Sequence, residues 1–184
     1  MAGSRRTARD GGTPAVVRFA VVEAGGEAAL VASRGGKVVA SALPGRSPPD
    51  LVRGLRERFP GAVEAPEAEV AGARELRRWM EGDAAAPAAV PVDLSGAPPF
   101  AARVYRALRA VRPGRTVTYG DLARRAGSPG AARAVGRAMA TNPFAPFVPC
   151  HRVLGSGGAL TGFSAPGGVD LKRRLLEAEH RANP

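Results

Sequence analysis

The apolar positions of the first forty residues follow a strand-like order, and those further on follow a helical one. Val16 to Ala24 (VVRFAVVEA) is rich in β-branched residues and predicts a strand. Ala28 to Ala32 and Lys37 to Leu43, parted by Gly35-Gly36, predict a hairpin or two short strands. Pro48-Pro49 open a predicted helix that runs through Phe59 and is closed by Pro60-Gly61. A second helix is predicted from Glu67 to Glu81, with Ala73, Leu76, Trp79 and Met80 at helical spacing, so Trp79 reads as core. Ala84 to Pro99 (AAAPAAVPVDLSGAPP) turns Ala/Pro-rich around one strand candidate, Val90 to Leu94, and reads as a linker.

Beyond the linker the period is helical. Phe100, Val104, Ala107, Leu108 and Val111 share one face, with Arg103, Arg106 and Arg109 turned away, and Pro113-Gly114 stops the run. A short helix is predicted over Thr118 to Ala126, a turn over Gly127-Ser128-Pro129-Gly130, and a helix over Ala131 to Thr141. Two short helices across a tight turn make a helix-turn-helix pattern. On the second helix Ala131, Val135 and Met139 fall on the core side. Arg133 and Arg137 lie opposite, with Gly136 and Ala140 beside them, so arginine is presented on a backbone that can approach a groove wall closely. A last helix is predicted over Val169 to Arg181, with Leu171, Leu175 and Leu176 as its buried side.

These elements divide the chain into a flexible tail (1–14), an N-terminal α/β domain (15–96, a small sheet with helices) and a mostly helical C-terminal domain (97–181). Hydrophobic residues at 45% and charged residues at 23% are those of a water-soluble globular protein. No apolar run reaches the ~20 residues that a membrane span needs. The tail's Arg5, Arg6 and Arg9 have no apolar stretch behind them, so a cytoplasmic location is expected. Lys+Arg is 27 against 16 Asp+Glu, a formal charge of +11, which favours a polyanionic partner. One cysteine excludes an internal disulfide, and one cysteine with two histidines excludes a Cys-rich zinc site, so no metal is expected.

The candidate chemistry sits in Asn142 to Arg152 (NPFAPFVPCHR). Three prolines exclude a regular helix and predict a stiff, extended connection ending at Cys150. A lone cysteine is more often an inert packing residue, but here a histidine follows it and a Gly-rich stretch comes next. In a regular strand Cys150 and His151 point to opposite sides, so either the chain turns there or a water relays the proton; the water relay is the preferred reading. A histidine base needs an orienting acid. Glu177 points away with Arg173 and Arg181, whereas Glu179 falls between Leu175 and Leu176 on the apolar face, which makes Glu179 the candidate.

Together these residues resemble the O6-alkylguanine-DNA alkyltransferase (methylated-DNA–protein-cysteine methyltransferase) family. The likeness runs from Phe100 to Glu179 and is carried by Val148-Pro149-Cys150-His151-Arg152-Val153, by Ala132-Arg133-Ala134-Val135-Gly136 and by Asn142-Pro143. It implies that Cys150 takes the alkyl group from O6-alkylguanine in double-stranded DNA once and irreversibly, with His151 and Glu179 completing a relay and Asn142 holding the hinge. It leaves open whether O4-alkylthymine is accepted as a second substrate. It implies that Arg133 fills the gap left by an extruded base, that Tyr119 presses on the phosphate backbone, and that Ala132, Gly136 and Arg137 meet the minor groove. Met139, Val153, Phe163 and Ser164, with Tyr119, would form the base pocket, Val153 and Cys150 through their carbonyls. It implies a monomer that needs no cofactor. Phe163 stands where the family commonly has Tyr, and the loop Ser164-Ala165-Pro166-Gly167-Gly168 is about two residues longer than the common form. Three other classes compete: a silent sensor of alkylated DNA, which would lack the acceptor cysteine; a thiol redox regulator, which would need a second cysteine; and a cysteine hydrolase, which would need an oxyanion hole.

Overall fold

The computed structural model describes residues 15–182; the expected flexible tail lies outside them. Three antiparallel strands open the chain: β1 (Arg18–Ala24), β2 (Glu27–Arg34) and β3 (Lys37–Ala42). Their tight connections, Gly25-Gly26 and Gly35-Gly36, take positive φ, which is why glycine pairs stand there. The first helix, α1 (Pro48–Arg58), starts on Ser47, whose hydroxyl accepts from the Asp50 amide, and has prolines in its first turn, where no donor is lost. A two-residue strand, β4 (Val63–Glu64), returns parallel to β1 and completes the order β3-β2-β1-β4.

Alternation along the strands gives the sheet two apolar faces. Phe19, Leu30, Ala32 and Val39 pack with Leu51 and Leu55 of α1. Ala20, Val22, Ala29, Val31 and Val38 look the other way, into a core continuous with the C-terminal half. That core also takes up Ala73 and Leu76 of α2 (Ala73–Met80).

Two expectations are corrected in this half. The helix predicted over Glu67 to Glu81 is broken: a 3-10 turn covers Glu67–Glu69, and α2 begins only after Gly72 at φ 89°. A side chain at Gly72 would stand 2.9 Å from Phe147 and from Val38, so the break makes room for a core ring. Trp79, half-buried, packs against the core as its spacing predicts. The strand predicted at Val90 to Leu94 is reduced to one bridge, Val92 to Val38, which fastens the linker to the outer edge of β3.

The C-terminal half begins with α3 (Pro99–Arg109), whose Val104, Tyr105 and Leu108 are buried. A two-residue strand β5 (Val117–Thr118) leads into α4 (Tyr119–Arg125), where the Thr118 hydroxyl accepts from the Asp121 amide as N-cap. A glycine turn with Gly127 and Gly130 at positive φ connects α4 to α5 (Ala132–Ala140). The pair α4–α5 is the predicted helix-turn-helix. Val135, Ala138 and Met139 of α5 are buried, and Arg133, Arg137 and Ala140 are exposed. After the proline segment, β6 (Val153–Leu154) pairs parallel with β5, and α6 (Gly168–Ala182) closes the chain. On α6 the buried residues are Lys172 and Glu179, while Leu171, Leu175 and Leu176 are half-buried, which corrects the predicted leucine side. The reason is that α6 packs a polar stripe onto buried carbonyls and cations of the Cys150 region. No helix among the described residues is long and apolar enough to cross a membrane.

Candidate active site

The proline segment is a run of turns rather than the extended connection expected, and after Pro149 Cys150–Arg152 wind into a single 3-10 turn, so of the two readings left open the chain turns at the cysteine. The Arg152 amide bonds the Pro149 carbonyl and the Val153 amide bonds the Cys150 carbonyl, so the chain turns at the cysteine and becomes extended only at β6. The turn is held from both sides. Asn142 donates from Nδ2 to the Val148 carbonyl at 2.8 Å and accepts the Phe144 amide at 3.1 Å. From the N-terminal half, β3 reaches the same segment: the Ser41 amide donates to Pro143 O at 2.8 Å and its hydroxyl to Ala145 O at 2.7 Å.

Behind the turn lies a buried ionic cluster. Glu179, 3% exposed, accepts from His151 Nε2 at 2.8 Å, from Arg152 Nε and Nη2 at 3.0 and 2.7 Å, and from the Gly114 amide at 3.1 Å. Arg152 continues to the Val111 carbonyl at 2.7 Å and the Ala84 carbonyl at 3.3 Å, tying the turn after α3 and the linker to the same carboxylate. Burial alone would raise the Glu179 pKa, but hydrogen bonds from His151 and Arg152 outweigh it and hold the group at about 2. It is therefore a carboxylate and can only accept, which assigns the proton on Nε2 of His151 and leaves Nδ1 as the base. Burial pushes His151 below its ordinary value, against the pull of Glu179, so the imidazole is neutral.

Lys172 is the second buried cation, 1% exposed, and sequence reasoning missed it. Its Nζ donates to Val153 O at 2.6 Å and Thr161 O at 3.1 Å, which staples the loop after β6 to the strand that follows the reactive turn. Burial lowers its pKa, and the neighbouring thiol opposes that. Burial also raises the Cys150 thiol above its ordinary value, while Asn142, local amides and Lys172 pull the other way. The resting sulfur is thus a thiol surrounded by groups that favour its anion.

Cys150 opens onto a cavity of about 440 Å³ walled by Tyr119, Gly136, Met139, Ala140, Thr161, Gly162, Phe163 and Ser164. Of the five residues expected to form a base pocket, Tyr119, Met139, Phe163 and Ser164 meet here. Val153 does not; it is fully buried behind the turn and its carbonyl receives Lys172. Gly136, expected at DNA, lines the cavity as well, whereas Ala132, Arg133 and Arg137 stand outside it on α5. His151, Glu179 and Asn142 form the cavity's support, not its wall. The loop Ser164 to Gly168 is braced from the N-terminal half, since a side chain at Gly45 would meet Pro166 at 2.7 Å.

Residues 99–181 match the family model described as "6-O-methylguanine DNA methyltransferase, DNA binding domain". A methylated-DNA–protein-cysteine methyltransferase of Mycolicibacterium paratuberculosis is 45% identical over 126 residues, 68% of each chain. The inducible enzyme of that name from Bacillus subtilis is 39% identical over 136 residues, 73% of this chain and 74% of its own. In three dimensions the chain is similar to Mycobacterium tuberculosis OGT in a crystal structure with DNA. That likeness has a TM-score of 0.69 and 32% identity, and covers 91% of this chain and 95% of that one.

Proposed function

The chain belongs to the methylated-DNA–protein-cysteine methyltransferase family, and from that premise we propose that it repairs O6-alkylguanine in duplex DNA by taking the alkyl group onto Cys150. The observation that carries this reading is the position of the chain's sole cysteine. It lines a cavity beside α5, with a neutral imidazole and a fixed carboxylate in the next shell.

A guanine in a duplex cannot bring O6 to a sulfur at the bottom of a cavity, so the nucleotide must leave the stack, at a cost of a few kcal/mol that a poorly paired lesion reduces. The ridge of α5 suits this task. Arg133 is exposed at its crest and enters the space that the base vacates, while Ala132 and Gly136 let the helix backbone come close. Tyr119, at the start of α4, presses on the phosphate beside the everted nucleotide. Ala131 supplies no side-chain cap, so the first amides of α5 stay available to the same backbone. The cavity volume falls within the ~300–1,000 Å³ of small-ligand sites, with Met139 and Phe163 as walls for the purine and the Ser164 hydroxyl as donor to O6.

The proton of the Cys150 thiol passes through a bridging water to Nδ1 of His151, and Glu179 steadies the imidazolium that results. The thiolate attacks the alkyl carbon in line; the S–C bond forms, the C–O6 bond breaks, and its electron pair stays on the guanine, which is reprotonated. The thioether has no leaving group, so each molecule reacts once. Intact-mass measurement after incubation with a duplex carrying O6-methylguanine shows one added methyl, mapped to Cys150, and none for Cys150→Ala. A chain that binds this duplex and keeps its mass would overturn the assignment.

A further inference from the structure

Helix α5 has an open space on each flank. Gly136, Met139 and Ala140 wall the thiol cavity. Ala134, Arg137, Ala138 and Thr141 wall a second, larger cavity of about 710 Å³ whose far side is built by the N-terminal half, with Arg34, Arg58 and Phe59. At roughly 100° per residue the two stripes stand about 160° apart, and the exposed ridge of Arg133, Arg137 and Ala140 runs between them.

The second cavity is electropositive. Its wall carries three guanidinium groups against one carboxylate, Asp93. That carboxylate is occupied, accepting from Arg34 at 3.3 Å and from the Ser95 amide at 3.0 Å. Arg58 is exposed, lies 5.1 Å over the Phe59 ring, and makes no ion pair among the described residues; the same holds of ion pairs for Arg137. The floor is apolar, from Phe100, Ala101 and Phe144, so the unpaired cations sit at the edge of a low-dielectric surface that strengthens their field.

A helix that enters a DNA groove has a backbone strand along each flank, whichever groove admits it. The thiol cavity receives the everted guanine, which assigns that flank to the damaged strand. The complementary strand must then pass along the other flank, across the mouth of the arginine-lined cavity. We propose that Arg58, from the N-terminal half, joins Arg137 in binding the phosphates of the complementary strand, so that both halves of the chain hold the duplex. The inference rests on the duplex-repair reading above and adds a partner surface to it.

The test is equilibrium binding of the full chain to an undamaged duplex over a salt series, for wild type, Arg58→Gln and Arg53→Gln. Arg53 is exposed on the same helix but lines a different surface, and controls for bare loss of charge. A lost phosphate contact weakens binding equally across sequences and makes the log K against log salt slope shallower by about one for Arg58→Gln, with Arg53→Gln close to wild type. Methylation of Cys150 by free O6-methylguanine base, which needs no duplex, keeps the wild-type rate in both variants. If the slope for Arg58→Gln matches that for Arg53→Gln, the proposal is overturned. An unchanged slope with fewer chains bound per duplex overturns it too, and assigns the cavity to a second copy of this chain. Failure of the repair reading is separate, since it shows as no methyl transfer by the wild type from base or duplex.

Discussion

Replacing Glu179 by Gln keeps its shape and removes the charge that faces Arg152 and His151. A buried guanidinium left without its counter-charge costs about 3–5 kcal/mol, so Glu179→Gln lowers the melting temperature by roughly 10 °C, as read by calorimetry. The pH dependence follows from the same cluster. Both His151, depressed below 6.5, and Glu179, depressed from 4.5 to about 2, refuse protons that the unfolded chain accepts. Their stabilisation is full above pH 6.5 and is lost as acid is added, and Glu179→Gln removes the part lost between 4.5 and 2. Lys172→Met acts on the sulfur instead. Without a cation nearby, the pH at which Cys150 reacts with a small disulfide probe moves upward, and Lys172 itself is not among the residues that wall the cavity. Cys150, His151 and Glu179 were legible because a thiol beside an imidazole, and an acid on an apolar stripe, are costly placements that need a reason. Lys172 and the ionic role of Arg152 were not, because α6 carries several basic residues and only the fold shows which one meets buried carbonyls.

Among the elements, the connection into α2 bears most directly on the reactive turn. Gly72→Ala puts a methyl at positive φ, 2.9 Å from the Phe147 ring, three residues before Cys150. Strain of this kind costs of order 1–3 kcal/mol, and relief by moving Phe147 displaces the proline segment. Both melting temperature and alkyl-transfer rate therefore fall, measured by thermal denaturation and by methyl transfer from free base. Sequence periodicity carried the predicted helix straight through this glycine, because apolar spacing persists from Val70 to Met80 and a positive-φ break leaves it intact. The strands β4, β5 and β6 were invisible for a different reason: two residues cannot display an alternation. The helix pair α4–α5 was legible because its capping threonine, glycine turn and small-residue face all agree on one geometry.

The whole molecule has one main core that crosses from the sheet to the C-terminal helices. Ser41 on β3 binds Pro143 O and Ala145 O, and Ala84 in the linker accepts from Arg152. A fragment beginning at Gly96 loses these contacts and uncovers Phe147, 1% exposed in the full chain. It melts at lower temperature and transfers the alkyl group from free base more slowly than the full chain, a comparison that mass spectrometry makes directly. Gly45 extends the same support to the far rim of the cavity, where its missing side chain accommodates Pro166. Any larger residue at that position must displace Pro166, and with it the 164–168 loop whose first residue, Ser164, walls the cavity. The wall beside the sulfur is thus adjustable from the opposite half of the chain, by a residue outside the cavity, while the reactive turn itself stays fixed.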